Sequence, residues 1–148
     1  MGENSRTAPF SALPVEKDIF MKHYEYTESD DCYDMAVEWL RHGNRDKAEI
    51  LLKRAIELNP HFTYAYVLLA RVYGAQKKYS DAVHVLKRAS RMDPSFDRLY
   101  YLMAKYACRG GDLRNALRHI EKAIALSESP LYRVMQDYLA ELFQLSAH

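Results

Sequence analysis

The fold is decided by residues 63–96, which read TYAYVLLARVYGAQKKYSDAVHVLKRASRMDPSF. The same pattern occurs once before this stretch and once after it, so residues 29–62, 63–96 and 97–130 form three consecutive units of 34 residues. Every unit has alanine at its eighth, twentieth and twenty-seventh positions, which gives Ala36, Ala48, Ala55, Ala70, Ala82, Ala89, Ala104, Ala116 and Ala123. A fixed period of this length indicates a repeat architecture in which each unit is one supersecondary element.

Each unit predicts a pair of amphipathic helices. In the middle unit Tyr66, Leu69 and Tyr73 fall at helical spacing on one face, and after a break Val85 and Ala89 do the same. A helix of about 12 to 14 residues is marginal alone in water, so each pair must bury its apolar stripe against its own partner and the next pair. Alanines at fixed positions let the helix axes approach closely. We therefore expect the pairs to stack.

The period and the alanine positions resemble the tetratricopeptide repeat (TPR) family. The resemblance implies an all-α fold, an α-α superhelix (TPR solenoid) of three antiparallel helix pairs with a C-terminal capping helix. It also implies a non-enzymatic scaffold or adaptor for protein interactions. The family's proline near the end of each unit is matched by Pro60 and Pro94, whereas Glu128 takes that position in the third unit.

The first 28 residues are predicted to form a mobile acidic N-terminal arm that can include a short helix from Pro14. Residues 1–31 hold three Lys or Arg and seven Asp or Glu. We expect the first helix of the repeats to begin near Asp31 and to end at Gly43-Asn44, where a left-handed backbone is easily adopted. Residues 29–130 then form the three TPR units.

Residues 131–148 are predicted to form a C-terminal capping helix, because Ser129-Pro130 is typical of a helix start. Its apolar stripe is expected to comprise Leu131, Val134, Met135, Tyr138, Leu139, Leu142 and Phe143. We favour a cap that packs on its own chain. The alternative is half of an incomplete fourth repeat that pairs with another copy, which would make a homo-oligomer through residues 131–144.

Composition favours one soluble domain, since 49% of the 148 residues are hydrophobic and 28% are charged. The net charge of +1 argues against general attraction to nucleic acid or membranes. We find no signal peptide, no apolar run of about 18 residues and no disulfide or zinc spacing around Cys32 and Cys108, which favours a cytoplasmic protein without membrane contact. No catalytic motif is present, so we expect no enzyme activity, cofactor or metal.

The resemblance implies a concave groove lined by the second, fifth, ninth and thirteenth positions of the first helices. These positions hold five cations, three tyrosines and one carboxylate, that of Asp30. The candidate partner-binding residues are Tyr33, Val37, Arg41, Tyr64, Val67, Arg71, Arg98, Tyr101, Lys105 and Arg109. Arginine offers forked donors to carboxylates, and tyrosine offers rigid contact area. We therefore expect a protein or peptide partner that is acidic and partly apolar.

Family members that grip the acidic C-termini of heat-shock chaperones use lysine, asparagine and arginine at five positions. The matching residues here are Tyr33, Val37, Leu68, Arg98 and Leu102, of which only Arg98 fits. That specificity is not expected.

Two other functions stay open at this point. A self-associating assembly subunit or secretion-type chaperone would use the C-terminal helix and the acidic arm. A nucleic-acid binder would use the basic groove, with tyrosines stacking on bases, but the near-zero net charge disfavours it. The acidic arm could also occupy the basic groove of its own chain.

Overall fold

The computed structural model describes residues 14–147, with side chains described from Thr27 onward. This part of the chain forms seven α-helices and no strand. They are α1 (Pro14–Arg41), α2 (Arg45–Leu58), α3 (Thr63–Ala75), α4 (Tyr79–Met92), α5 (Asp97–Arg109), α6 (Leu113–Leu126) and α7 (Pro130–Ser146). Each helix packs against the next one in the chain, so three antiparallel pairs and a final helix make a superhelical stack. The predicted fold class is confirmed.

The repeated alanines close the contacts between helices. All nine have no exposed surface, in every unit and at every one of the three positions. Larger side chains such as Leu52, Leu86 and Ile120 are equally buried and fill the volume between these close approaches.

The turns within the pairs repeat as well. Gly43, Lys77 and Gly111 each stand fifteenth in their unit, and all three have positive φ, of 77°, 60° and 84°. Asn44 and Asp112 follow two of these residues and cap α2 and α6 by accepting hydrogen bonds from the backbone N–H three residues on. The middle unit makes the same turn with lysine in the left-handed region.

The predicted start of the first repeat helix is wrong. We expected a short helix from Pro14 and a separate helix from about Asp31, but α1 runs without a break from Pro14 to Arg41. Ser29 is fully buried, and its Oγ donates a hydrogen bond of 2.8 Å to the carbonyl oxygen of Ala55 on α2. The boundary drawn after residue 28 therefore falls inside a helix. Residues 1–13 of the predicted arm lie outside the described residues.

Helix α7 packs on α6, but its predicted apolar stripe does not form one buried face. Of the seven predicted stripe residues, Leu139 is buried, and Met135 and Leu142 are half-buried. Tyr132, which is not a stripe residue, is buried as well. The other four stripe residues, Leu131, Val134, Tyr138 and Phe143, are exposed. The helix is buried on one side and presents apolar side chains on another. Among the described helices, none is both long and apolar enough to cross a membrane.

Candidate functional site

The first helices of the three pairs, α1, α3 and α5, surround a cavity of about 430 Å³. We call this cavity and its lining the groove. Six of the ten candidate residues line it: Tyr33, Tyr64, Val67, Arg71, Arg98 and Lys105. Residues from all three repeats therefore meet at one place.

Four candidates lie outside this lining. Val37 and Arg41 border a separate hollow beside α1, and the Arg41 guanidinium pairs with the Glu38 carboxylate at 3.0 Å. Tyr101 is half-buried against α7, as described below. Arg109 is exposed at the last turn of α5.

A cluster of cations defines the electrostatics of the groove. Burial, followed by the charges of Arg109, Arg71 and Arg98, lowers the pKa of the half-buried Lys105 ammonium. Each of these three arginines is therefore close enough to Lys105 to repel its charge. Within residues 27–147, none of the four forms an ion pair with a carboxylate. The groove carries unbalanced positive charge although the whole chain has a net charge of only +1.

The apolar floor of the groove was missed from the sequence. Leu68, Leu102 and Tyr106 also line the cavity, and all three are buried. Tyr106 lies so close to α3 that a Cβ added to Gly74 would be 2.4 Å from its Cε1 atom. A lone glycine inside a helical pattern is a known sign of such a close approach, so Gly74 could have pointed to this contact.

Two groove tyrosines, Tyr33 and Tyr64, each contact an aromatic ring at the start of the next first helix. The ring centroids of Tyr33 and Phe62 are 5.0 Å apart. Tyr64 meets Phe96 edge-on at 6.2 Å and stays 62% exposed. These contacts hold the rings in fixed positions along the groove.

A third aromatic contact covers the ring of Tyr101. The Tyr101 ring stacks on the Tyr132 ring of α7, with centroids 5.4 Å apart and planes at 26°. The Tyr132 hydroxyl donates a hydrogen bond of 2.5 Å to the Asp97 carboxylate. Burial and this carboxylate raise the pKa of Tyr132 to about 12. Tyr101 therefore helps join α5 to α7.

A larger cavity of about 560 Å³ lies on the other face, between α2 and α4. Its lining mixes both charges, with Lys53 and Arg88 beside Glu57 and Asp81. Glu49 accepts a hydrogen bond of 2.9 Å from the Tyr73 hydroxyl and pairs with the Lys53 ammonium at 2.9 Å. Charge on this face is therefore partly balanced, since Lys53 and Glu57 each have an ion-pair partner, whereas Arg88 and Arg91 of the same lining pair with no carboxylate of residues 27–147.

In the described part of the chain, the two cysteine thiols are not activated as nucleophiles. Burial raises the pKa of both thiols, Cys32 and Cys108, so they are protonated at neutral pH. No cluster of three metal-ligating side chains occurs among the described residues.

Comparison with known proteins agrees with this architecture. Residues 40–106 match the family model described as tetratricopeptide repeat. No curated protein matches the chain significantly.

Several solved structures share the fold at low sequence identity. The N-terminal domain of stress-induced protein-1 from C. elegans superposes with a TM-score of 0.74 at 17% identity, covering 78% of this chain and 97% of that one. The first TPR of Spaghetti (RPAP3), bound to the HSP90 peptide SRMEEVD, gives 0.71 at 15% identity over 83% and 96%. The type III secretion chaperone SycD of Yersinia enterocolitica, in complex with a peptide of the translocator YopD, gives 0.67 at 18% over 80% and 94%. The repeated spacing, the helix pairs, the family match over residues 40–106 and these structures together show that this chain has a tandem tetratricopeptide repeat fold.

Proposed function

We propose that this protein is a non-enzymatic interaction scaffold that binds an acidic, partly apolar segment of another protein in the groove. The observation that carries the proposal is the cluster of Arg71, Arg98, Lys105 and Arg109, which lacks carboxylate partners among the described side chains. A carboxylate-bearing ligand relieves the repulsion within this cluster and forms charge-assisted hydrogen bonds with it. The reducing cytoplasm, where the free thiols of Cys32 and Cys108 persist, is the location that suits it.

The composition of the cavity lining favours a peptide over a nucleic acid. Leu68, Leu102 and Val67 supply an apolar floor beside the cations, which fits side chains of a peptide. Single-stranded nucleic acid needs a run of aromatic platforms. Of the tyrosines in the first helices, Tyr101 is already stacked on Tyr132, so the platform is incomplete.

Similar structures support a peptide ligand for this fold. RPAP3 and SycD were each solved with a bound peptide, from HSP90 and from YopD respectively. The HSP90 peptide itself is not the expected ligand here, because only Arg98 matches the residues that chaperone-tail binders use. The secretion-chaperone alternative predicts a translocator-like ligand and self-association.

The test is a binding measurement with a fluorescent 12-residue peptide that contains four glutamates and two leucines. We expect the Arg71→Glu, Lys105→Glu double variant to raise Kd at least tenfold, because two attractive charges become repulsive. Kd of the unaltered protein should rise steeply with salt, since the contacts are partly solvated.

The matched control reverses two exposed arginines of α6, Arg114 and Arg118, which lie outside the groove. It makes the same change in net charge and should alter Kd less than twofold. Equal weakening by both double variants would mean that only net charge matters, and the groove would lose its assignment. Tight, salt-sensitive binding of a 12-nucleotide single strand that the glutamate peptide fails to displace would favour the nucleic-acid function.

A further inference from the structure

We propose that the groove continues onto α7, so that the bound segment places an apolar cluster on Leu131, Val134 and Tyr138 beside its acidic block. This inference rests on the proposed function and adds the order of the ligand's side chains. These three residues are 50%, 65% and 53% exposed, which is unusual for large apolar side chains standing in one row.

The register of α7 puts this row on the groove side. Ser129 precedes α7 as Phe62 precedes α3 and Phe96 precedes α5. Pro130 is therefore the first position of a first-type helix. Leu131, Val134 and Tyr138 then stand at the second, fifth and ninth positions, which on α3 belong to the groove residues Tyr64, Val67 and Arg71.

Contacts at the junction agree with this register. The start of α3 is joined to α1 by the Tyr33–Phe62 contact, and the start of α5 is joined to α3 by the Tyr64–Phe96 contact. The first turn of α7 is joined to α5 by a further aromatic contact, the stack of Tyr101 on Tyr132, the third residue of α7. Helix α7 thus follows α5 as a further first helix would.

The opposite side of α7 is polar. On α3 the fourth, eighth and eleventh positions, held by Tyr66, Ala70 and Tyr73, are buried. On α7 these positions hold Arg133, Asp137 and Ala140, and Arg133 pairs with Glu128 at 3.2 Å. A fourth helix pair is therefore not built here, and the apolar row is left for a ligand on the groove side.

The residues at the matching positions of α5 indicate which side chains the bound segment carries. Arg98 and Lys105 hold the second and ninth positions of α5, and Leu131 and Tyr138 hold those positions on α7. One extended segment crossing both helices meets cations first and apolar side chains next. Neighbouring helix axes lie about 10 Å apart, and an extended chain advances about 3.3 Å per residue. The acidic block and the apolar cluster should therefore be about three residues apart.

The experiment selects a displayed library of random 16-residue peptides on the full chain. The unaltered protein should enrich peptides with an acidic block and two large apolar residues about three positions away, in one chain direction. The Val134→Ser, Tyr138→Ser double variant should keep the acidic block and lose the apolar cluster. Both positions are exposed, so the fold tolerates the change.

The matched control is Ile50→Ser, which removes a side chain that is 68% exposed on α2, away from the groove. It should leave the selected pattern unchanged. For one selected peptide, the α7 double variant should raise Kd at least tenfold, and this loss should persist at high salt because the contact is apolar.

Three results would overturn the inference. If the α7 double variant enriches the same apolar cluster, the row is not part of the site, although the proposed function stands. If the unaltered protein enriches no acidic block, the inference and the proposed function both fail. If the protein is a dimer in light scattering and the α7 double variant is a monomer, the row is occupied by a second copy.

Discussion

Gly74 and Tyr106 form a close contact between α3 and α5, the first helices of neighbouring repeats. The Tyr106 ring lies where a side chain at Gly74 would stand, and 4% of Tyr106 is exposed. The contact brings α3 and α5 together beneath Arg71 and Lys105. The position of the groove cations therefore depends on a glycine that does not itself line the groove.

Gly74→Ala should destabilise the protein by about 1 to 3 kcal/mol, because the new methyl group overlaps the Tyr106 ring. At an exposed helix position, by contrast, replacing glycine with alanine stabilises the folded protein by about 1 kcal/mol. Chemical denaturation with guanidinium chloride measures the difference.

The control for this prediction is a double-mutant cycle with Tyr106→Leu. The smaller side chain leaves room for the methyl group, so the second substitution should make Gly74→Ala much less costly. Strict additivity of the two substitutions would show that the overlap is not the cause.

Tyr132 gives a prediction about pH. Its pKa is about 12 in the folded protein, above the ordinary value of 10, because the phenol is buried and donates to the Asp97 carboxylate. A raised pKa contributes stability that is fully present below pH 10 and is lost as pH rises through 12. Tyr132→Phe should cost about 1 to 2 kcal/mol at neutral pH, and the cost should shrink between these two pH values.

Denaturation of both proteins at several pH values measures this, with Tyr138→Phe as the control. Tyr138 is exposed on the same helix, so its hydroxyl should matter little at any pH. A constant difference between the unaltered protein and Tyr132→Phe across the alkaline range would rule out the linkage.

Individual groove residues were predicted with mixed success, for identifiable reasons. Tyr64 and Arg71 were found because their repeat positions alone set the direction of their side chains. Tyr101 occupies the fifth position, as Tyr33 and Val67 do, but Tyr132 of α7 stacks on it, and the sequence does not reveal how α7 packs on α5. Tyr106 was missed because its tenth position normally faces the core, whereas the absent side chain of Gly74 opens a gap through which its ring reaches the groove.

At the scale of the helices, periodicity located most elements and failed at α1. Pro60, Pro94 and the turn glycines mark ends that the backbone itself imposes, so these boundaries were predictable. The predicted start near Asp31 was wrong, since Ser29 lies inside a continuous helix, is buried and donates a hydrogen bond to Ala55 of α2. A serine can cap a helix or pack inside one, and only the neighbouring helix decides between these roles.

The capping role of α7 can be measured through Leu139. This side chain is fully buried, in the cluster that includes Ile120 and Ala116 of α6. Leu139→Ala should cost about 2 to 5 kcal/mol, because it leaves a cavity between α6 and α7. Denaturation measures the loss, and Leu145→Ala, at a side chain that is 73% exposed, is the control.

A small loss for Leu139→Ala, equal to that of Leu145→Ala, would mean that α7 is not held on the stack. The predicted cap would then need revision. A large loss would support the choice of an intramolecular cap over an unpaired half repeat.

For the whole molecule, the net charge does not reveal how unevenly the charges are distributed between its faces. The chain is nearly neutral, and ion pairs such as Lys53–Glu49 and Arg54–Glu57 on α2 balance charges on the outer face. The repeat brings cations of different units, such as Arg71 and Lys105, to the groove, where they form no ion pair with a carboxylate of residues 27–147. Position within the repeat, rather than composition, predicted this separation.

The central claim is that the first helices form the binding surface. It is tested most directly by a nuclear magnetic resonance titration of the isotope-labelled full chain with an acidic peptide. We predict chemical-shift changes concentrated at Tyr64, Arg71, Arg98 and Lys105, with little change along α2, α4 and α6. Changes concentrated instead on the α2–α4 face, around Lys53 and Arg88, would contradict the account.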